Sequence, residues 1–142
     1  MSRKLDVLLA ACRAFLKKMG MSEVGVEWGV ETQYNRAEGI ISLHSGQNER
    51  TAPLYIEFMR DTYGINLEAF HPTLLAFLHE VGHAATMENF SEEDLMLYFL
   101  LKDGAAPTFY WSLPDEAAAN QWVAEHWGDG EVEELASKWG LV

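Results

Sequence analysis

The chain has 142 residues, the size of one ordinary domain, with 49% apolar and 12% aromatic residues and no repeated or low-complexity segment. Its 22 acidic against 10 basic residues give a formal net charge of −12, which argues against nucleic-acid binding, because a phosphate backbone demands a basic patch, and disfavours anionic membranes. A single cysteine, Cys12, excludes an intrachain disulfide and favours a reducing, cytoplasmic compartment.

Leu5, Leu8, Leu9, Cys12, Phe15, Leu16 and Met19 recur at helical spacing and predict an amphipathic helix over 3–19, closed by Gly20. Arg3 and Lys4 followed by Leu9-Ala10-Ala11-Cys12 mimic a lipoprotein cleavage site. The apolar stretch is too short for a signal core, however, and Asp6 interrupts it. No run is long enough to span a membrane. Val24, Val26, Trp28 and Val30 alternate and predict a strand over 24–31, and residues 39–44 predict a second. With Asn35 to Glu38 as the turn, the two are expected to form a hairpin. Residues 45–53 read as loop, and 54–63 as a helix carrying Leu54, Phe58 and Met59 that ends near Gly64. Pro72 opens a helix over about 72–87. Ser91 and Asp94 form a capping pair for a helix over 91–102. Residues 103–111 read as loop. Ser112 and Asp115 read as a capping pair for a helix from Pro114 to about Trp127, and a last helix covers about 131–139. The expected class is α+β: one small domain, with a short hairpin or sheet packed on the 72–87 helix and a second, ligand-bearing helix beside it.

His79-Glu80-Val81-Gly82-His83 is an H-E-x-x-H sequence. Residues four apart on a helix share a face, roughly 6 Å apart, so two imidazoles at this spacing can reach one tetrahedral metal. Glu80 lies about 100° around the helix from His79. From that flank its carboxylate can reach a water on the metal without being a ligand, which is the placement of a general base. Leu74, Leu78, Val81 and Ala85 form a separate stripe for the core. Gly82 costs about 1 kcal/mol in a helix relative to alanine, which a close approach by another segment would explain. The ligand types make zinc the default metal.

A hydrolytic zinc site needs a third protein ligand and an open fourth position. The metzincin continuation is absent, because position 86 is threonine and position 89 asparagine. Glu116 is the best candidate for the third ligand, with Asp115 as its substitute. Glu116 and Asn120 share a helical face, and the three alanines between them would let that helix lie close to the metal helix. Asn120 could then hydrogen-bond the outer nitrogen of a zinc-bound histidine. Glu116 also has an ordinary reading, since a glutamate in a first helical turn complements the helix dipole. Tyr110 and His126 are candidate oxyanion donors. Their alternatives are packing within Phe109-Tyr110-Trp111 and a solvated helix end. His44 and His71 read as surface or capping residues, and Met87, Met96 and the tryptophans as core.

An H-E-x-x-H followed by E-x-x-x-[DN] on a later helix, here Glu116 to Asn120, resembles the gluzincin pattern. Over about residues 24–127 the arrangement is similar to the ImmA/IrrE group of minimal gluzincins. That resemblance implies a zincin-like metallopeptidase with His79, His83 and Glu116 as ligands and Glu80 as base. It also implies that strand 39–44 lines the cleft and pairs with an extended peptide or protein substrate through its backbone. The long insert between His83 and Glu116 departs from the family pattern and brings its own helix. Peptide deformylase shares H-E-x-x-H, but its glycine-rich and cysteine signatures are absent. Two functions stand out: an active zinc endopeptidase, and a binding module of the same fold that keeps zinc but cleaves nothing. No oligomeric state follows from the sequence.

Overall fold

The first apolar stripe folds as expected in the computed structural model, which describes residues 3–44 and 49–140. Helix α1 (Arg3–Lys18) buries Leu8, Leu9, Cys12, Phe15 and Leu16. Cys12 is therefore a core residue with no exposed surface. Gly20 follows in the left-handed region, with φ 74°, where glycine carries no Cβ penalty.

Three short strands follow: β1 (Gly25–Trp28), β2 (Gln33–Asn35) and β3 (Ile40–Leu43). Their order is β1-β3-β2, with β1 parallel and β2 antiparallel to β3. The expected hairpin between 24–31 and 39–44 is therefore corrected. Those two segments pair in parallel, and the hairpin is made by β2 and β3, closed by Asn35, whose carbonyl accepts from Gly39 N at 2.8 Å. The alternation of Val26 and Trp28 could not distinguish the two pairings. Gln33-Tyr34-Asn35 is too polar to show a strand pattern, and the alternation ends early, leaving Val30 91% exposed.

Residues 45–48 of the expected 45–53 loop lie outside the described residues. Helix α2 (Ala52–Tyr63) turns Ala52, Tyr55 and Met59 inward and leaves Leu54 exposed. Gly64 closes it at φ 71°. Helix α3 (Pro72–Thr86) starts with Pro72 in its first turn and His71 as its cap, the imidazole Nδ1 accepting from Thr73 N at 3.1 Å. It buries Leu74, Phe77, Leu78 and Val81 completely or nearly so. Thr86, at the position where the metzincin pattern needs glycine, donates to the Gly82 carbonyl at 2.8 Å.

Helix α4 (Glu92–Lys102) is capped by Ser91, whose Oγ accepts from Asp94 N. None of its residues is fully buried. Met96 is 62% exposed, which corrects its assignment to the core. The expected loop at 103–111 contains a short helix, α5 (Pro107–Ser112), begun by Pro107. Helix α6 (Pro114–His126) is capped at Leu113 without a side-chain bond. The expected Ser112–Asp115 capping pair does not form, because Ser112 Oγ donates to the Phe109 carbonyl and Asp115 is bound elsewhere. Helix α7 (Gly130–Gly140) packs on α1 through Val132, Leu135 and Trp139.

The centre of the molecule is α3, which lies against β2 and β3 on one side and α6 on another. A Cβ on Gly82 would stand 2.5 Å from the Ala119 carbonyl oxygen and 2.9 Å from Ala119 Cα. Gly82 and the run Ala117-Ala118-Ala119 together set how closely α3 and α6 cross. That crossing brings the two halves of the candidate site together.

Candidate metal centre

His79 and His83 project from α3 four residues apart, with ring centroids 4.7 Å apart. Glu116, in the first turn of α6, meets both. Its Oε1 lies 2.8 Å from His79 Nε2, and its carboxylate lies 3.1 Å from His83 Nε2. One ligand atom from each residue lies within 4.8 Å of the others. Donors on a shared zinc would be roughly 3.4 Å apart, given bonds of about 2.1 Å. The three side chains thus form a group able to hold a metal ion.

The hydrogen-bond network tests whether a cation fits. Asn120, one turn after Glu116, places Oδ1 2.9 Å from His79 Nδ1. The same oxygen accepts from the Tyr55 hydroxyl at 2.8 Å, and Asn120 Nδ2 faces the Trp111 carbonyl at 3.4 Å. Asn120 Oδ1 therefore requires the proton on His79 Nδ1. The lone pair of His79 Nε2 then points at a carboxylate oxygen 2.8 Å away. Two acceptors at that distance repel unless a cation, either a proton or a metal ion, lies between them. Two imidazole nitrogens and one carboxylate oxygen form a donor set suited to zinc. The Nδ1 of His83 is buried without a hydrogen-bond partner among the described residues.

Electrostatics follow the same logic. Burial alone would raise the Glu116 carboxyl, but hydrogen bonds to His79 and His83, together with their charge, hold it far below the usual carboxylate range. Burial disfavours charge on His79, yet Glu116, Glu80 and Asn120 together lift its pKa above the ordinary value. Lys102, at the end of α4, donates to Glu116 Oε2 and to Asp115 Oδ2, both at 2.6 Å. Burial would lower its pKa, but the two carboxylates raise it. Asp115 is thus a partner of Lys102, and Glu116 is the residue facing the histidines.

The other expected residues divide. Glu80 is half-buried, and its charge acts on His79, Tyr55 and Tyr110. Tyr110 borders the site: the Lys102 ammonium sits 5.3 Å from its ring centroid. Burial first, then Glu116, Glu80 and Asp115, hold its hydroxyl well above the usual phenol range, so it remains a neutral donor. His126 is not brought to the site. Ten residues beyond Glu116, it is roughly 15 Å further along the helix. Its ring stacks on Trp122 and its Nδ1 meets the Trp122 carbonyl at 2.8 Å. His71 is the cap of α3, as expected.

Tyr55 and Lys102 are the members that sequence reasoning missed. Tyr55 is held by Trp111, 5.2 Å away in an edge-on contact, and its hydroxyl also lies 3.5 Å from His79 Nδ1. No spacing rule links either residue to the motif. Strand β3 is corrected as a substrate strand, because both its edges are already paired. On the outer edge of β1, Arg13 Nη2 donates to the Val26 carbonyl at 3.2 Å. The edge beside α3 that neither β1 nor β3 covers is that of β2.

Among the described residues, no helix is long and apolar enough to cross a membrane. Comparison with protein family models, curated proteins and solved structures returned no match. The His79–His83–Glu116 geometry is compatible with a zincin-like site, and it stands on its own chemistry.

Proposed function

We propose that the protein is a zinc-dependent metallopeptidase of gluzincin type that hydrolyses peptide bonds with Glu80 as general base. The observation that supports this most is the meeting of the H-E-x-x-H pair with Glu116, where the hydrogen bonds around His79 call for a cation. A bound zinc would supply a Lewis acid and bring the acidity of a water near neutrality. Glu80, on the flank of the histidine stripe, would take the proton of the attacking water and pass it to the leaving amine. Asn120 keeps His79 in the tautomer whose Nε2 faces the site. Lys102 occupies Glu116 Oε2 and leaves Oε1 directed at His79. Tyr110 is the candidate donor to the oxyanion, because its hydroxyl stays protonated. An extended peptide or protein substrate could pair with the free edge of β2.

A second reading, a zinc-binding module that cleaves nothing, is favoured by the closeness of the site. The side chains of His79, His83 and Glu116 are only 12%, 8% and 2% exposed. Metal analysis followed by peptide-library digestion separates the two. For the peptidase, wild type and Glu80→Gln both hold about one zinc per chain, and only wild type cleaves. Loaded wild type that cleaves no peptide would leave the binding module. Full activity in Glu80→Gln would remove Glu80 from its role.

A further inference from the structure

Helix α4 presents an apolar face that the rest of the chain does not cover. Met96, Leu97, Phe99, Leu100 and Leu101 are 62%, 52%, 70%, 64% and 44% exposed. They share one broad side of the helix, and clustered exposure of this kind points to an interaction site where apolar residues scattered singly would not. The first turn of the same helix is acidic throughout, with Glu92, Glu93 and Asp94.

A complementary surface lies on α1. In a chain of net charge −12, this helix carries five basic residues against one acidic; Lys18 is paired with Glu134 of α7 and Arg13 is bonded to the Val26 carbonyl, so the charge it offers outward lies at Arg3 and Lys4. A groove of about 680 Å³ runs beside it. Arg3, Lys4 and Lys138 line it together with Val7, Ala10 and Ala14. Arg3 and Lys4 have no ion-pair partner among the described residues. The lining residues of α1 run from 3 to 14, about 17 Å along the helix, and α4 with its 11 residues is about 16 Å long. The small side chains of Ala10 and Ala14 leave room for a helix to lie close.

We propose that the protein self-associates, with α4 of one copy seated in the α1 groove of a second copy. The acidic first turn of the incoming helix meets Arg3, Lys4 and Lys138, and its apolar remainder covers Val7, Ala10 and Ala14. Exchanged reciprocally about a two-fold axis, the contact forms twice. Doubling the contact moves it toward the roughly 1,200 Å² of buried surface at which specific interfaces begin. Charge complementarity selects this partner over an anionic membrane, which the acidic turn of α4 would repel.

Two double variants test this by light scattering and sedimentation on the whole chain. Leu97→Gln with Leu100→Gln makes the α4 face polar at exposed positions. Arg3→Glu with Lys4→Glu reverses the groove's charge and suits a helix N-terminus, so α1 is preserved. Wild type should have twice the 16.0 kDa chain mass, and its association should weaken as salt rises. Each variant alone should associate at least tenfold more weakly. A wild type that stays monomeric at high micromolar concentration would overturn the proposal. So would a groove variant that dimerises normally by itself, because the interface would then join α4 to α4.

Discussion

Tyr55 reaches the candidate metal centre through its hydroxyl, which donates to Asn120 Oδ1, and Asn120 in turn holds the Nδ1 proton of His79. Tyr55→Phe removes that bond and leaves the ring packed on Trp111. Losing an outer partner of a metal-bound histidine weakens metal affinity by 10–100-fold. Asn120 keeps its contact with the Trp111 carbonyl in this variant, so we expect about tenfold and a stability loss of about 1 kcal/mol. Asn120→Ala removes all three of its side-chain bonds and should lie at the upper end of that range. Competition with a zinc-chelating dye measures both, and an unchanged affinity in both variants would detach this network from the metal. Asn120 could be read from the sequence because it lies one helical turn from Glu116. Tyr55 could not, because it comes from a different helix, 24 residues before His79.

Between elements, the crossing of α3 and α6 rests on a single missing Cβ. Gly82→Ala should gain about 1 kcal/mol of helix propensity. It would also drive a methyl into the Ala119 backbone, whose carbonyl oxygen would lie 2.5 Å away and cannot swing aside. Overpacking of this kind costs roughly 1–3 kcal/mol, more when backbone must move. The variant should therefore be less stable by denaturant titration. It should also bind metal more weakly, because Glu116 is pushed away from the two histidines. This crossing was legible in the sequence, since a glycine inside a strong helix and three alanines after Glu116 both point to close approach. The helix boundaries were legible too, through Pro72, Ser91 and the glycines at 20 and 64. Strand pairing was not, because alternation reports which face is buried and carries no information about direction. The insert was half-legible: its helix was expected, but not that Lys102 would bind the candidate ligand Glu116. Lys102→Met tests that tether. It leaves Asp115 and Glu116 buried without their ammonium, which costs on the order of 3 kcal/mol for a largely buried pair. Among the described side chains of α4, Lys102 is the one ion-paired to α6. The variant should therefore become sensitive to limited proteolysis between 87 and 106. Unchanged resistance would mean that α4 is held in place without this tether.

At the scale of the whole molecule, the candidate ligands come from α3 and α6, the two helices with the most extensive mutual contact. A metal there ties the centre of the fold together. At a free zinc concentration a thousand times its Kd, binding stabilises the folded state by about 4 kcal/mol. In a chain of this size that is on the order of 10 °C in Tm, so chelation should lower the melting temperature as well as stop any turnover. The direction of the pH dependence is a sharper test. In the metal-free protein, Glu116 and its neighbours raise the pKa of His79 above its ordinary 6.5 despite burial. That contribution is complete below the unfolded value and is lost as pH rises through the folded one. Glu116, held far below the carboxylate range, stays ionised across the same window. In the loaded protein, protons compete with the metal for both imidazoles, so affinity and stability rise with pH. Between about pH 6 and 8, the Tm of chelated protein should fall while that of zinc-loaded protein rises. Two parallel melting curves would show that any bound metal is not held by His79 and His83.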